Sequence, residues 1–535
     1  MLKALSIVLM LLMPTLMLVT SAYSPSYVWE IPVQTNRPYY TVGDMVHING
    51  TVTYGGQPRQ SIDVAIVLKL SGSSTPYYTG TRTTDSNGEF NASVGLSGPN
   101  AKLGEFIVNA TASTPDHMPC TNQTAFQLID RIYIKASGDV EPASAPISRN
   151  GDVYSLTGNI SGNFADGIVG ERNDIILNGM GFTLNGKGLA NSNGIYLASV
   201  SNVTIENISI ESFQDGVNQY LSPDCHIVDT NLFSNGNGIY YQQASSNTIE
   251  GNNITKNSYA GILLDGSNDN NISGNSLTNT ITSNFGAISL RGSSNDNNIV
   301  NNNFVNNTLY GVYIEASYSN NIFHNNFFNN TRQGFVTPDS SGNVWDNGYP
   351  SGGNYWSDYA GVDTYSGPNQ NLTGSDGMGD TPYTINATTH DIDNYPLMNT
   401  WNPTETSIIV KGVPFSVTTA TNATITQVDS TPNNLNFTAT GAPGSKGYLL
   451  IIVPKGANTT ELKVFVNGTE LTTPLPLISE NGTHYFIYCE LSFSTLQITV
   501  PFVVPVVPVG TLAATILMIS VFGVYVKLGR KKITA

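Results

Sequence analysis

Short apolar segments that return every 22–26 residues constrain this chain more than any other feature of it. From Gly194 the pattern Gly-apolar-x-apolar recurs, with its first apolar position at Ile195, Val217, Ile239, Ile262, Ile288, Val312 and Phe335. A second apolar site follows at Ile205, Ile227, Ile249, Ile272, Ile299 and Ile322. A third comes five residues later, at Ile210, Leu232, Ile254, Leu277, Phe304 and Phe327. Three brief strands per repeat, separated by Gly, Asn and Ser turns, describe one coil of a parallel β-helix. Coils stack at the strand spacing of about 4.8 Å, so equivalent side chains pile into columns. Inward columns must be apolar, and bends must tolerate their own copies above and below. Asn suits a bend because its amide pairs with the next and it accepts left-handed backbone. Asn252, Asn275, Asn302 and Asn325 hold one such position over four coils. Between 202 and 330 about thirty residues are Asn, and only Lys256 and Arg291 are basic. Columns of like charge would repel, which neutral Asn avoids. A leucine-rich repeat would need its own Leu spacing, which is absent, and a disordered tract would hold no register. Thr280–Phe285 lengthens one coil and is expected to bulge as a loop.

Composition agrees. Charged residues are 11% of the chain while apolar residues are 40%, so low charge here does not mean disorder. The net charge of −16 argues against nucleic acid, whose phosphates need Lys and Arg patches. Three cysteines exclude a disulfide-stapled framework.

The flanks of the repeat carry a resemblance. Upstream stand Val153-Tyr154-Ser155-Leu156-Thr157-Gly158-Asn159-Ile160 and Asp174–Leu184. Downstream stand Asn343-Val344-Trp345-Asp346-Asn347-Gly348, Gly353-Asn354-Tyr355-Trp356-Ser357-Asp358-Tyr359, Gly379-Asp380-Thr381-Pro382-Tyr383 and Asp393-Asn394-Tyr395-Pro396-Leu397. This combination resembles the NosD-type right-handed parallel β-helix family, in the form common among archaeal cell-surface proteins, over about 132–398. The resemblance implies a periplasmic or surface setting and, for the founding members, copper loading of nitrous oxide reductase. The fold is also shared with carbohydrate-active enzymes, and fold alone does not decide function.

The termini suggest where the chain resides. Lys3, the apolar run Ala4–Val19 and Thr20-Ser21-Ala22 read as a signal peptide over 1–22. Val507–Val526 is uncharged and long enough to cross a bilayer as a helix. The basic tail at 527–535 (Lys527, Arg530, Lys531, Lys532) would then be cytoplasmic, with the bulk of the chain outside the cell membrane as a single-pass protein. Removing Lys3 and those four cations leaves 17 basic against 38 acidic residues, about −21, a surface that repels anionic polymers. Eighteen Asn-x-Ser/Thr sequons, among them Asn49, Asn91, Asn202, Asn253, Asn371 and Asn481, suit an exported glycoprotein. Residues 26–130 alternate apolar and polar over short runs and are similar to immunoglobulin-like or macroglobulin-type modules. Residues 403–500 read as a second, membrane-proximal β-sandwich. The expected fold is therefore all-β, with a right-handed parallel β-helix between two β-sandwich domains and one C-terminal transmembrane helix.

Chemistry has few candidates. Glycoside hydrolysis needs two carboxylates about 5–10 Å apart, and lyases of this fold use Ca²⁺ with a basic residue. Asp265, Asp269, Asp296 and Arg291 could meet across adjacent coils as such a constellation; the competing reading is solvated turns. Asp376, Asp380, Asp391 and Asp393, with Asp358 and Asp363 before them, could hold a structural Ca²⁺, or cap the coil through hydrogen bonds. No cofactor is required. Copper would want clustered His, Met and Cys. Only His117-Met118-Pro119-Cys120 is tight, and it lies outside the repeat. Trp345, Tyr355, Trp356 and Tyr359 could stack on sugar rings, or could plug the open end of the solenoid. Three functions stay open: a non-catalytic surface protein that is structural, adhesive or glycan-binding; a polysaccharide lyase or glycoside hydrolase; and a NosD-like copper accessory. The expected partners are the membrane, through the C-terminal helix, and surface glycans or envelope proteins.

Overall fold

The computed structural model describes residues 28–114, 119–282, 284–349, 351–410, 413–421, 424–431, 434–440, 446–454, 463–472, 476–480, 484–492 and 495–501. The signal peptide, the helix at 507–526, the basic tail and the His117-Met118 pair lie outside these residues. Among the described residues the chain is all-β, and none of it forms a helix long and apolar enough to cross a membrane.

The chain divides into two compact units. The first holds residues up to Asp130. Its five-stranded sheet contains Asp63–Leu70 and Gly104–Ala112, and a three-stranded sheet contains Met45–Thr51 and Glu89–Gly95. Alternate residues of both sheets, including Val46, Ile48, Val64, Ile66, Phe90 and Phe106, share one apolar core.

The second unit is dominated by a parallel β-helix with three walls. The front wall has ten strands and the other two have nine each, and each strand of a coil pairs with its equivalent in the next. Tyr154, Leu177, Ile205, Ile227, Ile249, Ile272, Ile299 and Ile322 form the inward column of the second wall, with strand pairs in unbroken register. All eight side chains are buried. The third wall carries Ile160, Leu184, Ile210, Leu232, Ile254, Leu277, Phe304, Phe327 and Trp356. Burying each such side chain is worth about 1.5–3 kcal/mol, which is what holds the coil closed.

The front wall begins two coils before the visible repeat, at Ile132 and Ile168, and continues through Ile195 to Val312. Its last member corrects the sequence register. Val312 pairs with Gly334, while Phe335 pairs with Tyr313 and faces outward. A Cβ on Gly334 would stand 3.2 Å from the Trp345 ring, so that indole fills the slot a larger residue would take. Just before the inward apolar position the wall carries Gly194, Gly216, Gly238 and Gly261. There a Cβ would lie 2.4–2.6 Å from the next coil's carbonyl oxygen, closer than any side chain tolerates.

Amides bond the corners together. Asn252 Nδ2 donates to Asn275 Oδ1 (2.9 Å), Asn275 to Asn302 (2.9 Å), Asn302 to Asn325 (3.1 Å) and Asn325 to Asn354 (3.0 Å). Each acceptor oxygen also takes the backbone N–H of the preceding Asn. A second ladder, Asn270–Asn297–Asn320–Asn343, repeats this geometry at the corner between the front and second walls. Most of these corner amides thus find protein partners, as a buried polar group requires, while Asn247 Nδ2 and Asn343 Nδ2 at the second corner are buried without one.

The remaining strands, from Pro403–Val410 to Thr495–Pro501, form two five-stranded antiparallel sheets.

Asn302→Leu should unfold the coil at lower denaturant. It strands both amide donors of Asn275 and the Ile272 carbonyl, a loss of about 3 kcal/mol or more. Asn271→Ala, on the exposed side of the preceding coil, should change stability by less than about 0.5 kcal/mol. Equilibrium urea unfolding of both variants checks the contrast.

Candidate functional site

The outward face of the front wall carries chemistry that the repeat does not demand. Outward positions follow the column Tyr196, Asn218, Tyr240, Leu263, Ser289, Tyr313 and Phe335. Beside it, Asp166, Asn193, Asp215 and Asn237 alternate acid and amide. Asn193 Nδ2 donates to Asp166 (2.7 Å) and Asn237 Nδ2 to Asp215 (2.7 Å). Asn218 bonds the second oxygen of Asp215 at 3.1 Å. Burial raises the Asp215 carboxyl above the usual carboxylate range, and these amide bonds oppose the rise.

Two of the four catalytic candidates come together. Asp265 and Arg291 are cross-strand partners, with Asp265 Oδ2 accepting from Arg291 Nη2 (2.8 Å) and Nε (3.1 Å). The Tyr240 hydroxyl lies 3.4 Å from the guanidinium, and burial together with Asp265 raises its pKa. Asp269 and Asp296 are instead stacked at the corner beyond, in left-handed backbone with φ of 56° and 57°. Their side chains are bend residues, not members of that group. Asp215 does not complete a hydrolytic pair with Asp265. It aligns through Asn237 with Ala260, so Asp265 stands two rungs away and five residues along the strand, roughly 16–19 Å at the backbone. That exceeds the separation that glycoside hydrolysis needs.

The insert 280–285 does not simply bulge into solvent. Phe285 folds onto the outer face, where it is buried with Ala260 and Leu263 and packed by Tyr240 and Tyr313. Its ring lies 4.8 Å from that of Tyr259 and 5.6 Å from the Arg291 guanidinium. On the C-terminal side of this ridge, Tyr310, Tyr313 and Phe335 pack as three near-parallel rings with centroids 5.0–5.9 Å apart. Arg332 lies beside them, 5.8 Å from the Phe335 centroid. A groove of about 510 Å³ follows, lined by Arg332, Phe335, Asp358, Tyr383, Thr384 and Asn386 among others. Its far bank is the hairpin Tyr383–Asn386/Asp391–Asp393, fastened to the last coil by Asn386 Nδ2 on the Val336 carbonyl (2.8 Å). The Tyr383 hydroxyl donates to Asp358 at 3.2 Å, and burial with that carboxylate raises its pKa.

The sequence offered Trp345, Tyr355, Trp356 and Tyr359 as sugar ligands. Trp345 and Trp356 are 0% and 1% exposed, so neither presents a face to a ligand. Trp356 instead continues the third-wall column, stacked between Phe327 (4.4 Å) and Tyr383 (4.3 Å). Tyr355 and Tyr359 stay half-buried. The residues that the sequence missed are Tyr240, Tyr310, Tyr313, Phe335, Arg332 and Tyr383. The available signal was Tyr at the x position of the repeat, where an outward residue has no reason to be aromatic.

The four proposed calcium ligands are likewise occupied separately. Asp376 accepts from Gly367 N, Gln370 Nε2 and Met378 N, and Asp380 from Thr364 and Tyr365. Asp391 accepts from Trp345 Nε1 (2.9 Å), and Asp393 from Trp356 Nε1 (2.8 Å) and Asn354 N (2.8 Å). Of their oxygens only Asp391 Oδ2 is buried without a partner. Among the described residues no three of His, Cys, Asp or Glu gather to hold a metal. Copper fits no better. His324 is sealed against Trp401 at 3.6 Å, and the Cys225 and Cys489 thiols are buried, with burial raising their pKa values to about 11 and about 12.

These features define a parallel β-helix protein whose chemistry lies on one outer wall and at the capped end. Residues 148–361 match the NosD family, described as periplasmic copper-binding protein. No curated protein matches the chain. Among solved structures it is similar to the periplasmic alginate epimerase AlgG, at 16% identity over 32% of this chain and 39% of that one, with a TM-score of 0.26. The mannuronan C-5 epimerase AlgE4 A-module of Azotobacter vinelandii gives 12% identity, 34% and 60% coverage and a TM-score of 0.24. Tailspike protein 2 of bacteriophage CBA120 gives 13%, 69% and 66%, with a TM-score of 0.29. The chain thus spans 39% of the length of the first of these.

The capped end should respond to pH. Burial raises Asp393 to about 7 and Asp376 to about 6, so the folded chain keeps protons that the unfolded chain releases near pH 4. Their contribution is full below about pH 4 and is lost as pH rises to about 7. Burial lowers His324 to about 4, so its contribution runs the other way, growing from about pH 4 to 6.5. His324→Gln should therefore steepen the fall in thermal midpoint between about pH 4 and 7. An unchanged slope would contradict these assignments.

Proposed function

We propose that this is a membrane-anchored cell-surface protein that displays its β-helix to bind glycans without transforming them. The observation that carries the reading is the cluster of half-buried rings, Tyr310, Tyr313 and Phe335, whose Phe335 also lines a groove with Arg332, Asp358 and Asn386. Apolar ring faces beside hydrogen-bonding side chains suit the two faces of a pyranose. Asp215 and Asp265 stand beyond hydrolytic spacing, and Asp166 and Asp215, two rungs apart, are each held by an asparagine amide of the wall, which favours binding over hydrolysis. We read residues 26–130 and 403–500 as β-sandwiches on either side of the coil in the sequence, the second next to the membrane, with residues 1–22 directing export and 507–526 forming the anchor. The negative net charge and the sequons support an external setting.

A glycan array probed with the full chain in detergent, with and without Ca²⁺ and paired with a product assay, tests this. Binding that needs no Ca²⁺, leaves the glycan intact and weakens at least tenfold in Tyr313→Ala is the expected outcome. Release of reducing ends or unsaturated products would replace the reading with an enzymatic one.

A further inference from the structure

The ring cluster and groove are bounded at both ends. On the N-terminal side Phe285 rises over the front wall and abuts Tyr313, with ring centroids 6.2 Å apart. On the C-terminal side the hairpin at Tyr383–Asn386 stands over the last strand, Arg332–Val336. Between these banks lie the outer faces of two rungs, Tyr310–Ile314 and Arg332–Val336, since Ala287 and Ser289 of the rung before are buried where Phe285 packs on Leu263 and Tyr313. Rungs follow one another at about 4.8 Å, close to the advance of one pyranose unit in an extended chain. Tyr313 and Phe335 form one outward column across them, and Tyr310 and Arg332 pair beside it. A linear glycan laid parallel to the coil axis would meet one rung per sugar and would be stopped at either bank.

Charge narrows the ligand further. The groove offers one exposed guanidinium, Arg332, and one exposed carboxylate, Asp358, with Thr331, Thr384 and Asn386 around them. A cation and an anion together, set in a chain of net charge −16, suit the hydroxyl pairs of a neutral sugar better than a polyanion. We propose that this trough is a site for a neutral linear oligosaccharide of about two units, recognised as a short chain or chain end and not along the interior of a polymer. The inference rests on the glycan-binding reading above and adds length, charge and direction to it.

Calorimetric titration of the full chain with cello-, manno- and malto-oligosaccharides of one to six units, and with oligogalacturonates of the same lengths, tests it. In the neutral series that binds, affinity should rise up to about two units and then level. Arg332→Gln, an exposed change that leaves the core alone, and Phe335→Ala should each weaken binding at least tenfold. Tyr196→Ala, on the far side of the Phe285 ridge, should leave it unchanged. Affinity still climbing at six units, a preference for the uronates, or equal sensitivity to Tyr196→Ala would overturn the trough while leaving glycan binding intact. Absence of binding to every oligosaccharide, with array binding also absent, would overturn both.

Discussion

Strand-to-strand hydrogen bonding between successive coils is the constraint from which the rest of the structure follows. It fixes the rise per turn at about 4.8 Å, too short for a neighbour of different size or charge to be ignored. A side chain in one coil therefore sets the terms for the same position above and below. The unbroken isoleucine column from Ile205 to Ile322 is one solution, because each methyl surface covers the next. The glycine series before the front-wall strands is another, imposed by carbonyl oxygens lying where a Cβ would be.

Bends pose the harder problem, since a buried corner leaves amide groups that no strand partner can reach. Asn answers it with one oxygen that accepts from two donors in the previous coil and one nitrogen that donates both to a carbonyl and to the next Asn. Asn302 does all of this at once, which is why the ladder transmits order along the axis and why the coil can be so poor in charge. Carboxylates in the same slots would accumulate repulsion with every coil. Where acids do enter the stack, as at Asp166 and Asp215, amides alternate with them.

These rules explain what could be read in the sequence. Column positions such as Ile249 and Leu277 were legible because stacking forces the same residue class at every turn. One of the asparagine ladders was visible for the same reason. The first two coils, through Ile132 and Ile168, fell within the stretch from about 132 that the flanking motifs marked, but their register was hidden because longer connections break the period there. The slip at Phe335 arose because the Trp345 ring, from outside the repeat, takes the inward slot. The carboxylates near the end of the coil looked like a metal cluster because proximity in sequence says nothing about which donors each one faces. Asp393 and Asp391 turn out to serve two buried indoles. The groove was invisible because Arg332, Asp358 and Tyr383 reach it from three separate segments.

The surface becomes irregular where the regular stack ends. A solenoid cannot expose its last apolar layer, so the third-wall column changes from Leu277 to Phe304, Phe327 and Trp356 before Tyr383 closes it. The same closure brings a hairpin across the end of the front wall, and with it side chains that no neighbouring coil has to match. Residues in mid-stack answer to copies of themselves, whereas those at the cap and at the 280–285 insert answer only to what they face. The outer surface becomes specific at those two irregularities, and the groove with its ring cluster lies between them. The terminating device of the fold thus also forms one bank of the candidate recognition surface. Changes at the cap should be expected to affect stability and binding together, while changes on the outer face between the two banks can separate them.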